Sequence, residues 1–215
     1  MKVNIPGIET EKIKCIIFDF GGVIMDVDAD KTIAEFEKLG IKGVSEEDVI
    51  ADNGSAFLDI ELGLISPTQF IEKIRIRYPS SKDIPEEDIW RAWNALLQPY
   101  EEDRINILKR IRESFDIYLL SNTNLPHREK FRDMYSERFG GAIDDLFIRC
   151  FYSDEMHLRK PDADIYLEVA RQIGVQPDEI LFIDDKKVNI DAAMNCGWQA
   201  YRLTNGERIT DIFIG

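Results

Sequence analysis

The chain has 215 residues, enough for one large domain or for a core with a smaller unit inserted into it. Hydrophobic residues make up 44 % and charged residues 32 %, a balance ordinary for a globular protein that buries a proper core. The net charge of −14 leaves no basic stripe to neutralise nucleic-acid phosphates, and it repels anionic substrates at long range, so any phosphate must be captured locally.

Residues 1–13 read as a peripheral or poorly ordered lead-in, without the apolar stretch of a signal peptide. Residues 15–19, Cys-Ile-Ile-Phe-Asp, are an unbroken apolar run ending in Asp19, with Gly21-Gly22 behind it. Such a run predicts a strand buried on both faces of a parallel sheet. The glycines permit a sharp turn or a close approach to a ligand. Asp19 is therefore expected at the carboxyl end of a central strand, where open α/β sheets place their ligands. From about Ala29 to Pro99 the pattern changes to amphipathic helices. Ile33, Phe36 and Leu39 recur at helical spacing, and Ser45–Asp48 and Ser66–Gln69 resemble capping-box starts. Pro85 opens a helix whose Trp90 and Trp93 share a face, which reads as helical core before it reads as a sugar-stacking surface.

The remainder alternates as a doubly wound fold does. Helices are predicted over Glu101–Glu113, Leu125–Phe139, Asp162–Ile173 and Lys187–Cys196, and strands over 116–121, 149–152, 180–184 and 199–203. The expected fold class is α/β, a doubly wound parallel sheet built from residues 1–28 and 100–215, with an all-helical cap inserted at 29–99. No apolar run approaches a membrane span. Cys15, Cys150 and Cys196 are odd in number and widely spaced, which points to reduced thiols and a cytoplasmic protein.

Strand 116–121 runs into Ser121 and Asn122, and strand 180–184 into Asp184 and Asp185. If these strands flank the first, Asp19, Ser121, Asn122, Asp184 and Asp185 collect at one sheet edge. Carboxylates in one crevice repel each other and take up protons unless a cation sits among them. Oxygen ligands of this kind suit a hard ion, Mg²⁺ or Ca²⁺. His127 and His157 lie in loops that should face the same crevice, where the bland reading is a plain polar contact. Asp26 and Asp28 read as a solvated acidic turn.

Four motifs, Phe-Asp19-Phe-Gly-Gly-Val, Leu-Leu-Ser121-Asn122-Thr-Asn, Arg-Lys160-Pro-Asp and Phe-Ile-Asp184-Asp185 followed by Asn189, resemble in order those of the haloacid dehalogenase-like hydrolases. Their wording is closest to the branch holding sugar-1-phosphate phosphatases and the N-terminal phosphatase domains of bifunctional epoxide hydrolases. Phe57, Glu61, Gly63 and Ile65-Ser66 resemble that branch as well. The resemblance implies a Mg²⁺-dependent phosphomonoester hydrolase acting on a small phosphorylated metabolite such as a sugar phosphate. It implies Asp19 as the nucleophile that forms an aspartyl-phosphate. Asp19, the Gly21 carbonyl and Asp185 would hold the metal, with Asp184 in the metal shell or orienting the lysine and Asn189 further out. Ser121, Asn122 and Gly22 would bind substrate, and Lys160 would serve both the phosphate and Asp19. His127 joins the substrate-contact candidates on its position by the crevice alone.

One position departs from the family's pattern, because most members carry a second Asp where this chain has Gly21. Loss of a positioned acid/base typically costs about 10²–10⁴-fold in the step that uses it, and less when the leaving group is good. Two other readings stand beside the first. A 2-haloacid dehalogenase dispenses with the second acid but has no use for the Asp184–Asp185 pair. A catalytically silent scaffold with a binding or regulatory role is favoured by Gly21 alone. The expected partner is a small phosphorylated metabolite, with no nucleic acid and no membrane, for a monomer or homodimer.

Overall fold

The computed structural model describes residues 2–49, 56–204 and 206–214. In chain order the elements are β1 (Lys2–Val3), β2 (Cys15–Phe18), α1 (Ala29–Lys38), α2 (Glu46–Val49), α3 (Ala56–Glu61), α4 (Pro67–Arg77), α5 (Glu86–Trp93), α6 (Glu102–Ile111), β3 (Asp116–Ser121), α7 (Leu125–Phe139), β4 (Arg149–Tyr152), α8 (Ser153–Met156), α9 (Ala163–Ile173), β5 (Ile180–Asp184), α10 (Lys187–Asn195), β6 (Gln199–Arg202), α11 (Ile209–Ile212) and β7 (Phe213–Ile214). Ile50 to Ser55, part of the predicted helical segment, lie outside the described residues.

Five strands form a parallel sheet in the order β4-β3-β2-β5-β6. The central strand is the apolar one, with Phe18 level with Leu119 on one side and Ile183 on the other. Alternate side chains serve opposite faces, as the period of a strand requires. Ile16, Phe18, Leu119 and Ile183 pack towards α6, α7 and α11, whereas Cys15, Ile17, Leu120 and Phe182 pack towards α9 and α10. The buried stretches of β2, β3 and β5 are apolar on both faces until their carboxyl ends. All three polar-ended strands, β2, β3 and β5, are therefore neighbours pointing the same way.

Helices α1 to α5 enclose a cluster of their own, centred on Phe36, Phe57, Phe70 and Trp93. Phe57 meets Phe70 edge-on at 5.3 Å and Trp93 at 5.2 Å, while Trp90 stacks on Phe70 at 5.5 Å. Two starts follow their sequence signals. Ser66 accepts from the Gln69 N–H, and Gln69 reaches back to the Ser66 N–H. Asp48 does the same for Ser45.

The N-terminal lead-in is tied down. Lys2–Val3 pairs antiparallel with Phe213–Ile214, and Ile5 and Ile13 join the main core. The ordering partner lies some two hundred residues away, beyond the reach of any local pattern. Helices α3 and α8, each under two turns, were also too short for periodicity to reveal.

Candidate active site

Asp19 follows β2 directly, and its backbone N–H donates to the Ile183 carbonyl at 2.9 Å, which carries the sheet one residue further. The residue is 7 % exposed. Oδ1 accepts from the Phe20 N–H at 2.6 Å and from Lys160 Nζ at 2.8 Å, so both bonds fall on one oxygen and Oδ2 is the other face of the group. Lys160 is 1 % exposed and reaches Asp184 Oδ2 at 2.7 Å as well. A buried ammonium of this kind is tolerable only because two carboxylates enclose it.

Asp184 is fully engaged within the protein. Its oxygens accept from the Lys186 N–H at 2.8 Å and from Asn189 Nδ2 at 3.0 and 2.9 Å, besides Lys160. Asp184 thus orients the lysine. Asn122 acts on the same lysine through its backbone, since its side chain donates to the Lys160 carbonyl at 2.8 Å and accepts from the Lys160 N–H at 2.9 Å. Asp185 is different, for its Oδ1 is buried with no hydrogen-bond partner among the described residues.

Ligand oxygens of Asp19, Asp184 and Asp185 all lie within 4.8 Å of one another. The charges follow from this crowding. Burial pushes Asp19 up despite Lys160, and Asp184 and Asp185 push it the same way. Burial raises Asp185 too, helped by Asp184. Burial alone would raise Asp184, but Lys160 and the hydrogen bonds to it hold that carboxyl below its ordinary value. Gly22, at φ +77°, closes the site. A Cβ there would sit 2.5 Å from Asp185 Oδ2, so only glycine leaves that carboxylate its place. Three clustered carboxylates beside the one buried Lys160, with an orphaned buried oxygen on Asp185 and Gly22 packed against it, fit a small hard cation.

These groups open into a cavity of about 150 Å³ between the sheet edge and α1–α5. Asp19, Gly21, Asn122, Thr123, Lys160, Asp185, Lys186 and Asn189 line its floor, and Val27, Phe57, Glu61, Trp93, Leu96 and Arg159 line its sides. Ser121 is buried at the end of β3 but is not among the lining residues. Its hydroxyl lies 3.5 Å from the Asn122 carbonyl. His127 reaches the cavity wall, yet both ring nitrogens are taken. Nδ1 accepts from Asn124 Nδ2 at 3.0 Å, Nε2 donates to the Trp93 carbonyl at 3.2 Å, and the ring stacks on Trp93 at 4.7 Å. Burial lowers its pKa to about 4, so the imidazole is neutral. His157 bonds the Leu62 carbonyl through Nδ1, and Asp26 is held by Arg104 at 2.7 Å. The ion pair of Glu61 and Arg159, 2.8 Å apart inside the cavity, was not anticipated from the sequence as part of a site. The sequence carries each residue separately, Glu61 among the branch-like residues and Arg159 in the Arg-Lys160-Pro-Asp motif, but nothing in it pairs them.

A family model for haloacid dehalogenase-like hydrolases matches residues 13–197. The chain belongs to that family. Among full-length relatives of this hydrolase, D-ribitol-5-phosphate phosphatase of Bacteroides thetaiotaomicron is 28 % identical over 197 residues, 90 % of this chain and 93 % of the relative. N-acetylmuramic acid 6-phosphate phosphatase of Pseudomonas aeruginosa is 26 % identical over 193 residues, 86 % and 79 % of the two chains. A solved structure of a haloacid dehalogenase family enzyme from Bacteroides thetaiotaomicron, in complex with magnesium and inorganic phosphate, superposes with a TM-score of 0.86. It is 32 % identical, over 94 % of this chain and all of the other. The hydrolase core and its parallel sheet are thus shared along nearly the whole length.

Proposed function

We propose that this hydrolase is a Mg²⁺-dependent phosphatase of small phosphorylated metabolites, sugar or sugar-alcohol phosphates foremost, working through an aspartyl-phosphate on Asp19. The observation that carries the reading is the pairing of a buried Asp19–Lys160–Asp184 chain with the orphaned oxygen of Asp185 beside Gly22. Asp19, Asp185 and the Gly21 carbonyl would hold Mg²⁺, which offsets the repulsion between an anionic nucleophile and an anionic phosphate. Charge supports this, because the described lining offers the carboxylates of Asp19 and Asp185 to a metal and the cations Arg159, Lys160 and Lys186 to a phosphate.

Within that frame Lys160 draws one phosphoryl oxygen and holds Asp19 Oδ1, leaving Oδ2 for attack on phosphorus. Asn122 and Asp184 keep the lysine in place, and the Asn122 N–H and the Thr123 hydroxyl at the cavity floor, with Ser121 behind them, would receive the remaining phosphoryl oxygens. Helices α1–α5, with their separate core, act as the cap of residues 29–99 over a catalytic core of 1–28 and 100–215, and exclude water from the reaction. Three unpaired cysteines suit the reducing cytoplasm. The names of the relatives, both sugar-derived phosphate phosphatases, support the substrate class.

Phosphate release from sugar and alditol phosphates, with Mg²⁺ and with chelator, tests the proposal. Release should require the metal, and Asp19→Asn should abolish it, since removing a nucleophile costs up to about 10⁶-fold. Metal-independent release of halide from 2-haloacids, with no phosphate release, would sink it.

A further inference from the structure

We propose that Glu61, supplied by the helical segment, is the proton donor to the leaving group and the proton acceptor from the attacking water, in place of the acid absent at Gly21. The assignment rests on the phosphatase reading above.

The cavity leaves few candidates. Among the described residues three carboxylates line it, of which Asp19 is the nucleophile and Asp185 faces the metal. His127 has both nitrogens engaged, and Lys160 is locked between Asp19 and Asp184. Glu61 is the third carboxylate, and its place is rigidly set. It ends α3, and the three residues starting at Glu61 are each fastened to the rim of the sheet. Ser153 Oγ donates to the Glu61 carbonyl at 2.8 Å, and His157 Nδ1 donates to the Leu62 carbonyl at 2.8 Å. Gly63 fits so closely that a Cβ would lie 2.0 Å from the Asp154 carbonyl oxygen. A loop clasped in this manner aims its side chain without lid-like play.

The charges around Glu61 suit a group that must both give and take a proton. Burial raises its pKa to about 7, and Arg159, then Lys186 and Lys160, restrain the rise. A value near the working pH is what an acid/base catalyst needs. Nearby charges on the packed elements are already paired. Asp154 and Glu155 on α8 are bound by Arg128, Asp48 on α2 by Arg77, and Lys73 on α4 by Asp59. Arg159, at 2.8 Å, is a positioning residue that keeps Glu61 from staying protonated throughout.

In the first half-reaction Asp19 attacks phosphorus, the bond from phosphorus to the leaving oxygen breaks, and that oxygen takes the Glu61 proton to depart as a neutral alcohol. In the second, Glu61 takes a proton from the water attacking the aspartyl-phosphate. The bond between phosphorus and Asp19 breaks, phosphate leaves, and both carboxyls return to their starting states.

The test compares Glu61→Gln with wild type, in Mg²⁺, on glycerol 3-phosphate and on 4-nitrophenyl phosphate. With the alkyl substrate, single-turnover cleavage should fall about 10²–10⁴-fold. With the aryl substrate, whose leaving group needs no proton, the first-turnover burst of nitrophenol should persist within about tenfold, followed by slow turnover. Wild-type kcat/KM on the alkyl substrate should fall as pH rises past about 7, and E61Q should lack that limb. Should E61Q fail to fold, Arg159→Gln should move the limb up by about one pH unit, because a cation that lowers Glu61 is gone. Equal losses on both substrates in the first turnover, or a limb unmoved in R159Q, would overturn the assignment while leaving the phosphatase reading intact. A wild type that releases phosphate from neither substrate would overturn both.

Discussion

Single atoms decide this site at the residue scale. Asp184 and Asp185 are adjacent in sequence and opposite in circumstance, since one is saturated by Lys160, Lys186 and Asn189 and the other keeps a bare buried oxygen. Asp184 therefore holds Lys160, and Asp185 is the carboxylate that the proposed metal would meet. Gly22 protects that difference. In Gly22→Ala the new methyl group would overlap Asp185, and an L residue at φ +77° adds strain of about 1–2 kcal/mol. Expected are a lower Tm and a higher Mg²⁺ requirement for phosphate release, read by titrating metal against initial rate. Unchanged metal dependence would mean that Asp185 is not a ligand.

At the scale of elements, the helical segment is coupled to the sheet by two clasps. One joins the loop after α3 to α8. The other joins α5 to α7, where Asn124 accepts from the His127 N–H at 3.1 Å as the N-cap and from Trp93 Nε1 at 3.4 Å, while His127 returns a bond to the Trp93 carbonyl. His127 is buried and neutral there, its pKa near 4 against an unfolded value of about 6.5. The unfolded chain thus binds more protons between those values. The stability from the neutral ring is complete above about pH 6.5 and is lost as pH falls towards 4, in total about 3 kcal/mol. Asp19 and Glu61, raised by burial, act in the opposite sense, so only a difference isolates the ring. In His127→Gln the loss of stability between pH 7 and 4.5 should be smaller than in wild type by a sizeable part of that amount, as measured by denaturant unfolding at each pH. Parallel curves would refute the buried neutral histidine.

At the scale of the whole molecule, charge and binding are linked. A chain of net charge −14 draws cations towards its surface and repels phosphate esters, so capture of the proposed substrate would depend on the lysines, and on a metal, inside the cavity. A metal that binds the folded site alone stabilises the fold by about 2.7 kcal/mol at a hundred times its Kd. For a chain of this size that corresponds to a rise in Tm of about 5–10 °C. Mg²⁺ should produce it, chelator should reverse it, and Asp185→Asn should blunt it. A Tm indifferent to Mg²⁺ would remove the metal from the mechanism.

Much of the fold was legible because it is local. The unbroken apolar run before Asp19, the capping residues at Ser66 and Gln69, and the breaks at Gly140 and Gly174 are rules that a few neighbouring residues enforce. Strand polarity then required that Asp19, Ser121 and Asp184 share an edge once the strands were parallel neighbours, and the sheet order makes them so. What the chain's own order could not supply is which polar group meets which. Glu61 and Arg159 are nearly a hundred residues apart, His127 stacks on Trp93, and Lys2–Val3 pairs with the far end of the described chain. Such contacts arise when two separately folded layers close on each other. Burial then shifts each charge by its new neighbours, and sequence spacing carries no record of that.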